Sequence, residues 1–488
     1  MRLHREGKLE EAAQHYAAIL RAQPNHFDAL HRLGVVRAQQ GRLADGLDNI
    51  KSALKLQPTN VEALSNLGLV LGSLGRLEEA LASYDGALAI RPGFADALIN
   101  RGTALQDLER PAEALASYDK ALAIGPDNAA ALYNRGIALR ELKRAAEALA
   151  SYDKALAIRP GFAAALHNRG MTNLLMGDLP AGWAGCEHRW DREGAPQRRL
   201  IAPYPVWKGE DIQGQRIIVY EEQGFGDIIQ FSRYLTRLSA AGASVTFLVR
   251  SSMHRLLRPF TPTIRLIDEP PPGESFDLQC ALLSLPAAFG TTLDTVPADI
   301  PYLIPEAPLI AGWQRRIGNH GLKIGICWQG NPSVRVDIGR SFPLRSCHPI
   351  AAVPGVRLIS IQKSYGLDQL TTLPSGMTVE TLGAELDDFV DTAAVIANLD
   401  LVITCDTSMA HLAGALGHPV WVVLKHVPEW RWMLDREDSP WYPTARLFRQ
   451  RRPGDWDEVF ERMATELAQI ISGERDRLLT GKQPISGS

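Results

Sequence analysis

Leu401-Val402-Ile403-Thr404-Cys405 is followed by Asp406-Thr407-Ser408-Met409-Ala410-His411-Leu412-Ala413-Gly414-Ala415-Leu416-Gly417, and then by Val420-Trp421-Val422-Val423-Leu424. The two apolar runs have strand length, and the block between them opens with small polar residues and closes on glycine, so the stretch reads as strand, tight turn, helix, strand. Such a turn aims free backbone N–H groups and the positive end of a helix dipole beyond the strand's carboxyl end, which favours a phosphate. Ala413, Gly414 and Ala415 let the helix lie close on a sheet, and Gly417 and Pro419 suit its exit. Two readings of the block stand side by side: a diphosphate-binding turn, or a βαβ unit without ligand in which Asp406 caps the helix and His411 is an interior histidine.

Around this block, strands and helices alternate. Strands are expected at 216–220, 245–249, 264–267 and 276–279, and again at 323–328, 357–362, 377–382, 401–405 and 420–424. Two successive Rossmann-like domains, 215–308 and 309–472, account for this alternation, with the proline-bearing stretch 298–318 as the link between them. A ligand would then lie at the carboxyl ends of both sheets.

The first 192 residues follow another grammar. Gly34, Gly68, Gly102, Gly136 and Gly170 fall 34 residues apart, as do Pro24, Pro58, Pro92, Pro126 and Pro160. Tyr84, Tyr118 and Tyr152, with Ala80, Ala114 and Ala148, recur in phase, inside the near-copies Ser83-Tyr84-Asp85, Ser117-Tyr118-Asp119 and Ser151-Tyr152-Asp153. The pattern resembles the tetratricopeptide repeat, which implies an α-solenoid of stacked helix pairs with a concave groove. The numbering opens inside a unit, at a second helix marked by Ala12, Tyr16 and Pro24. Near Trp190 the array decays into a capping unit in which Gly182 and Cys186 replace the alanine and tyrosine. All ten tryptophans lie at or after Trp183, a composition shift that marks a new domain after a connector at 193–214; residues 473–488 form a tail.

A hydrophobic share of 45%, a charged share of 22% and a net charge of −3 describe a globular protein with no basic field for nucleic acid or an anionic membrane. The five cysteines are scattered without a CxxC pair, and no signal peptide or membrane span is legible, so a cytoplasmic location is expected.

Glu221-Glu222-Gln223-Gly224-Phe225-Gly226-Asp227-Ile228-Ile229 follows the first strand, where Gly224 and Gly226 permit a sharp turn and Asp227 begins the helix. Asp227 is a helix cap or a residue facing the cleft. A lone GxG does not make a dinucleotide fingerprint, which disfavours a nicotinamide-dependent oxidoreductase.

Gly226-Asp227-Ile228-Ile229 in the first sheet and Asp406-Thr407-Ser408-Met409-Ala410-His411-Leu412-Ala413 in the second resemble the bacterial heptosyltransferase family of GT-B glycosyltransferases, over roughly residues 216–471. The resemblance implies that Asp227 is the catalytic base, flanked by Gly226, and that Asp406, Thr407, Ser408, Met409 and His411 hold the donor sugar and diphosphate. Arg340 sits near a family position that contacts phosphate, and Gln362 and Lys363 follow a strand where they could touch the nucleotide. Ser408 stands where the family usually carries glycine, and a repeat array is foreign to heptosyltransferases. The whole plan is similar to protein O-GlcNAc transferases, in which a ladder of groove asparagines reads an acceptor peptide; Asn66, Asn100, Asn134 and Asn168 match it, with Arg32 breaking the row.

Glu429-Trp430-Arg431-Trp432 and Trp441-Tyr442 read as packing between the sheets, or as a stacking surface for sugar or base. Arg446, Arg449, Arg451 and Arg452 read as a solvated basic face. Asp455-Trp456-Asp457 is read as a helix start rather than a metal-binding DxD, so no metal and no cofactor are expected beyond a nucleotide-sugar substrate. The expected activity is therefore metal-independent glycosyl transfer to a protein or large glycan; the alternative is a repeat scaffold with a silent transferase-like half.

Overall fold

The computed structural model describes residues 2–195, 204–270, 272–333, 337–383 and 386–473. Residues 196–203 of the expected connector and 474–488 of the expected tail lie outside the described residues. The chain forms two compact units, Met1–Thr172 and Asn173–Ser488.

The first unit is helical: α1 (Arg2–Arg5), α2 (Leu9–Ala22), α3 (Phe27–Gln39), α4 (Leu43–Leu56), α5 (Val61–Ser73), α6 (Leu77–Ile90), α7 (Ala95–Asp107), α8 (Pro111–Ile124), α9 (Ala129–Glu141), α10 (Ala145–Ile158) and α11 (Ala163–Met176). The in-phase glycines and tyrosines of the sequence are packing partners. A Cβ on Gly68, Gly102 or Gly136 would meet the ring of Tyr84, Tyr118 or Tyr152 at 2.5, 2.5 and 2.4 Å. Each glycine thus makes room for a buried ring from the following helix, and each ring contributes about 2–3 kcal/mol of apolar burial. The repeat prolines come two residues after α2, α4, α6, α8 and α10, where a missing N–H does no harm. Between the helices of a pair one residue takes a left-handed conformation: Gly41, Gly75, Glu109 and Lys143, with φ of 80°, 73°, 57° and 58°.

The second unit begins within the last turn of α11 and continues with α12 (Leu179–Cys186), part of the expected capping segment. Its side chains explain the placement. Trp183 Nε1 donates to Thr291 O (2.9 Å), and Arg189 forms a buried ion pair with Glu222 (2.9 Å).

The first sheet contains β1 (Arg216–Tyr220), β2 (Ser244–Leu248), β3 (Ile264–Ile267) and β4 (Leu278–Ala281), in the order β3-β2-β1-β4. The second contains β5 (Leu322–Cys327), β6 (Val356–Ser360), β7 (Glu380–Thr381), β8 (Leu401–Cys405), β9 (Val420–Leu424) and β10 (Ala445–Arg449), in the order β10-β9-β8-β5-β6-β7. Every pairing is parallel. The helices that matter for the site are α13 (Phe225–Phe231) after β1 and α19 (Ser408–Ala415) after β8. Between them in the chain run α14 (Arg233–Ala240), α15 (Leu285–Ala288), α16 (Ala307–Ile317), α17 (His348–Ala351) and α18 (Phe389–Ile396); α20 (Trp456–Ile471) closes the described fold. Part of the stretch expected as a link is therefore helix α16.

Strand order reverses between β1 and β4 in the first sheet and between β5 and β8 in the second, so both motif loops leave their sheets at topological switch points, where α/β proteins open a crevice. The basic run at 446–452 is a solvated face only at its end, where Arg451 and Arg452 are exposed; it begins in edge strand β10, with Arg446 only 6% exposed. Arg446 pairs with Glu466 (3.3 Å) and Arg449 donates to Met433 O (3.0 Å), so these arginines are held inside. Among the described residues no helix is long and apolar enough to cross a membrane.

Candidate functional site

Helix α13 begins at Phe225, with Gly224 as its N-cap, which puts Asp227 in the first turn rather than at the cap. Asp227 Oδ2 accepts the Gly224 N–H (3.0 Å), closing the turn after β1. Gly224 and Gly226 do not serve as left-handed turn residues. Gly226 is needed because a Cβ there would meet His411 Cδ2 at 2.8 Å and Ser408 Cα at 3.6 Å. The amino-terminal turns of α13 and α19 therefore touch, and the two motif blocks, far apart in the chain, become one site.

In the second sheet the cap of α19 is Thr407, not Asp406. The Thr407 hydroxyl accepts the Met409 N–H (3.3 Å), leaving Asp406 buried against Arg340 (2.8 Å). Burial is the largest influence on the Asp406 carboxyl and pushes it up, but Arg340, His411 and a hydrogen bond from Trp432 act together to hold the group below the ordinary range. Ser408 and Met409 are half-buried at the start of α19. His411 is buried, stacked on Trp432 (5.6 Å between ring centroids) and bonded through Nδ1 to Tyr442 OH (3.0 Å). Burial, reinforced by Arg431, pushes His411 down to about 3, so the imidazole is neutral and packs between helices. Gly414 is small for the same kind of reason as Gly226: a Cβ would meet the Tyr442 ring at 2.4 Å.

Two further charged residues complete the cluster, and the sequence reading passed over both. Arg431 donates to Asp227 Oδ1, to Gln230 Oε1 and, at 2.7 Å, to Glu429 Oε1. Burial raises the Glu429 carboxyl. The signal was present in Glu429-Trp430-Arg431-Trp432, since charges inside an aromatic run are candidates for burial and pairing. The aromatics themselves pack: Trp430 meets Trp183 edge-on (5.3 Å), and Trp441 lies against Phe231 of α13 (5.9 Å). They form no stacking surface for a ligand.

Gln362 spends its carboxamide on the protein. Its Oε1 accepts the N–H groups of Trp328 (3.0 Å) and Gln329 (3.1 Å), and its Nε2 donates to Gln329 O (2.8 Å). It braces the loop after β5. Trp328 is fully buried, with Nε1 bonded to Gly366 O (3.1 Å). Lys363 is exposed beyond β6. Asp455 caps α20 by accepting the Glu458 N–H (3.2 Å), and Asp457 accepts from Ser346 Oγ (3.3 Å), as a helix start requires. A concavity of about 900 Å3, with His254, Arg255, Arg258 and Arg265 in its wall, lies along β2 and β3 and shares no residue with the cluster.

In the helical unit the four asparagines are all half-buried. Asn66 bonds His31 (2.9 Å) and Asn168 donates to Tyr133 OH (2.9 Å), whereas Asn100 and Asn134 keep their carboxamides uncommitted among the described residues. The row is thus half spent on its own neighbours.

Tetratricopeptide repeat models match residues 3–60 and 99–161, and a second such model matches 59–124. Protein FlbA of Caulobacter vibrioides is 27% identical over 327 residues, which is 61% of this chain and 54% of that protein, so the chain spans about half the length of the curated relative it matches. Solved structures with similarity include MamA (24% identical, 33% of this chain and 93% of that one, TM-score 0.31). A tetratricopeptide repeat protein from Parabacteroides merdae is 21% identical (40% and 77%, TM-score 0.34), as is YrrB, a TPR protein with an unusual peptide-binding site (37% and 92%, TM-score 0.32). The amino-terminal unit is a helical solenoid of tetratricopeptide repeats, and it is followed by parallel α/β sheets.

Proposed function

We propose that the second unit is a GT-B-like glycosyltransferase that moves a sugar from a nucleotide-sugar donor to a hydroxyl of a protein or large glycan acceptor chosen by the repeat array. One observation carries this reading: the turns after β1 and β8, each at a switch point of its own sheet, meet at Gly226, Ser408 and His411 and gather Asp227, Asp406 and Arg340 into one neighbourhood. The amino end of α19 favours the donor's diphosphate. Asp227 would take the proton of the acceptor hydroxyl as its oxygen bonds to the anomeric carbon, while the bond to the diphosphate breaks and the departing phosphate oxygen keeps the electron pair.

A second reading, a repeat scaffold with a silent transferase-like half, is favoured by the internal pairing of the cluster. Arg340 is occupied by Asp406 and Arg431 by Asp227 and Glu429, so three carboxylates face two guanidinium groups, and a diphosphate that engaged Arg340 would have to displace Asp406.

Incubation with labelled sugar nucleotides and host lysate, read by mass spectrometry, separates the two. Transfer that vanishes in Asp227→Asn while calorimetric binding of a nucleoside diphosphate persists supports the enzyme. Transfer undiminished in Asp227→Asn removes the base from the mechanism, and no binding of any nucleoside diphosphate leaves the scaffold.

A further inference from the structure

Asp227 is held from both lobes of the second unit. Its Oδ2 accepts the Gly224 N–H within its own loop (3.0 Å), and its Oδ1 accepts Arg431 Nη2 from the segment after β9. A carboxylate oxygen has two acceptor directions, so each keeps one free while the two bonds fix the plane of the group. The side chain remains 17% exposed, enough for a hydroxyl to reach it.

Arg431 is itself immobilised. Its side chain is 10% exposed, with the guanidinium lying 4.4 Å from the centre of the Trp430 ring. Glu429 grips it twice, accepting the Arg431 guanidinium at Oε1 (2.7 Å) and the Arg431 backbone N–H at Oε2 (2.9 Å). The remaining bond goes to Gln230, which sits on α13 one turn beyond Asp227. Asp227 and Gln230 come from the first sheet's side and Glu429 and Arg431 from the second's. The bond to Oδ1 therefore forms only when the two are docked.

We propose that Arg431, anchored by Glu429, is a positioning residue that orients Asp227 to receive the proton of the attacking hydroxyl. This rests on the transferase reading above. Fixing a reacting group in this way contributes to rate without contributing to donor affinity, because the donor does not touch Asp227 through Arg431. Lysine at 431 would keep the charge but lose the forked geometry that serves Asp227, Gln230 and Glu429 together.

The test uses the full chain and measures nucleoside diphosphate released from a panel of UDP-, GDP- and dTDP-sugars, with water as acceptor. Arg431→Gln is expected to lower kcat roughly 10- to 100-fold with KM for the donor unchanged within about twofold. Arg431→Lys should recover part of that loss. An unchanged kcat, a fall in kcat matched by an equal rise in KM, or a lysine variant no better than glutamine overturns the proposal while leaving the transferase reading intact. Should Arg431→Gln fail to fold, Arg431→Lys decides alone, with reduced kcat at constant KM supporting the role and wild-type kcat overturning it. Absence of release from every sugar nucleotide by the wild-type chain, with host lysate as acceptor as well as with water, removes the transferase reading, and this inference with it.

Discussion

Gly226 lies directly under the imidazole of His411, so close that a single added carbon would stand 2.8 Å from Cδ2. This contact joins the helix after β1 to the helix after β8, and the charged cluster is assembled around it.

Gly226→Ala should therefore destabilise the second unit by about 1–3 kcal/mol through overpacking. His411→Ala in the same chain should recover much of the loss, because it removes the atom that clashes. Urea denaturation followed by tryptophan fluorescence checks both, since every tryptophan lies after the array. Equal stability of Gly226→Ala and wild type would show that the helices do not meet here.

The neutral state of His411 gives stability a pH dependence. Unfolded, this histidine takes up a proton near its ordinary 6.5; folded, it does so only at about 3. Between those values the unfolded chain binds the extra proton, so stability is full above about pH 6.5 and falls as pH drops toward 3, by up to roughly 1.4 kcal/mol per pH unit from this group. Chemical denaturation at pH 7.0 and 5.0 should show the loss, and His411→Gln should flatten it.

In the helical unit, Glu109 occupies with φ of 57° the left-handed position that Gly41 and Gly75 fill in other repeats. Left-handed backbone strains a residue that has a Cβ, while glycine has more entropy to lose on folding, so the net gain from Glu109→Gly is about 0.5–1 kcal/mol. A small rise in the melting temperature of the array is expected, and a fall would refute the strain argument.

If the second unit transfers sugar, excess chelator should leave its turnover unchanged. Asp455 and Asp457, which mimic a metal-binding pair in the sequence, are engaged by the Glu458 N–H and the Ser346 hydroxyl. Loss of turnover in EDTA, restored by a divalent cation, would overturn metal-independence.

Much of the fold was legible because its causes are local. The 34-residue period sets Gly68, Gly102 and Gly136 in phase with Tyr84, Tyr118 and Tyr152, and in those three units the same glycine–ring contact recurs. Strands β1, β3, β8 and β9 stand where apolar runs bounded by turn residues predicted them. Strand β10 was missed because its arginines read as surface, and their acceptors, Glu466 and the Met433 carbonyl, are assigned only by packing. The site was legible in halves: the blocks at Asp227 and Asp406 announced strand-to-helix turns, but nothing in the spacing announced that Gln362 braces the loop after β5.

The sequence by itself determined the repeat array, the parallel α/β alternation and the two turns, because period, apolar runs and turn residues act over a few positions. Only the tertiary structure decided that Arg431 grips Asp227 from 204 residues away, that Arg340 is spent on Asp406, and that Gly226 is small for the sake of His411. Contacts between segments so distant leave no spacing to read; they exist because the carboxyl ends of two sheets meet, and burial then makes each charge find a partner.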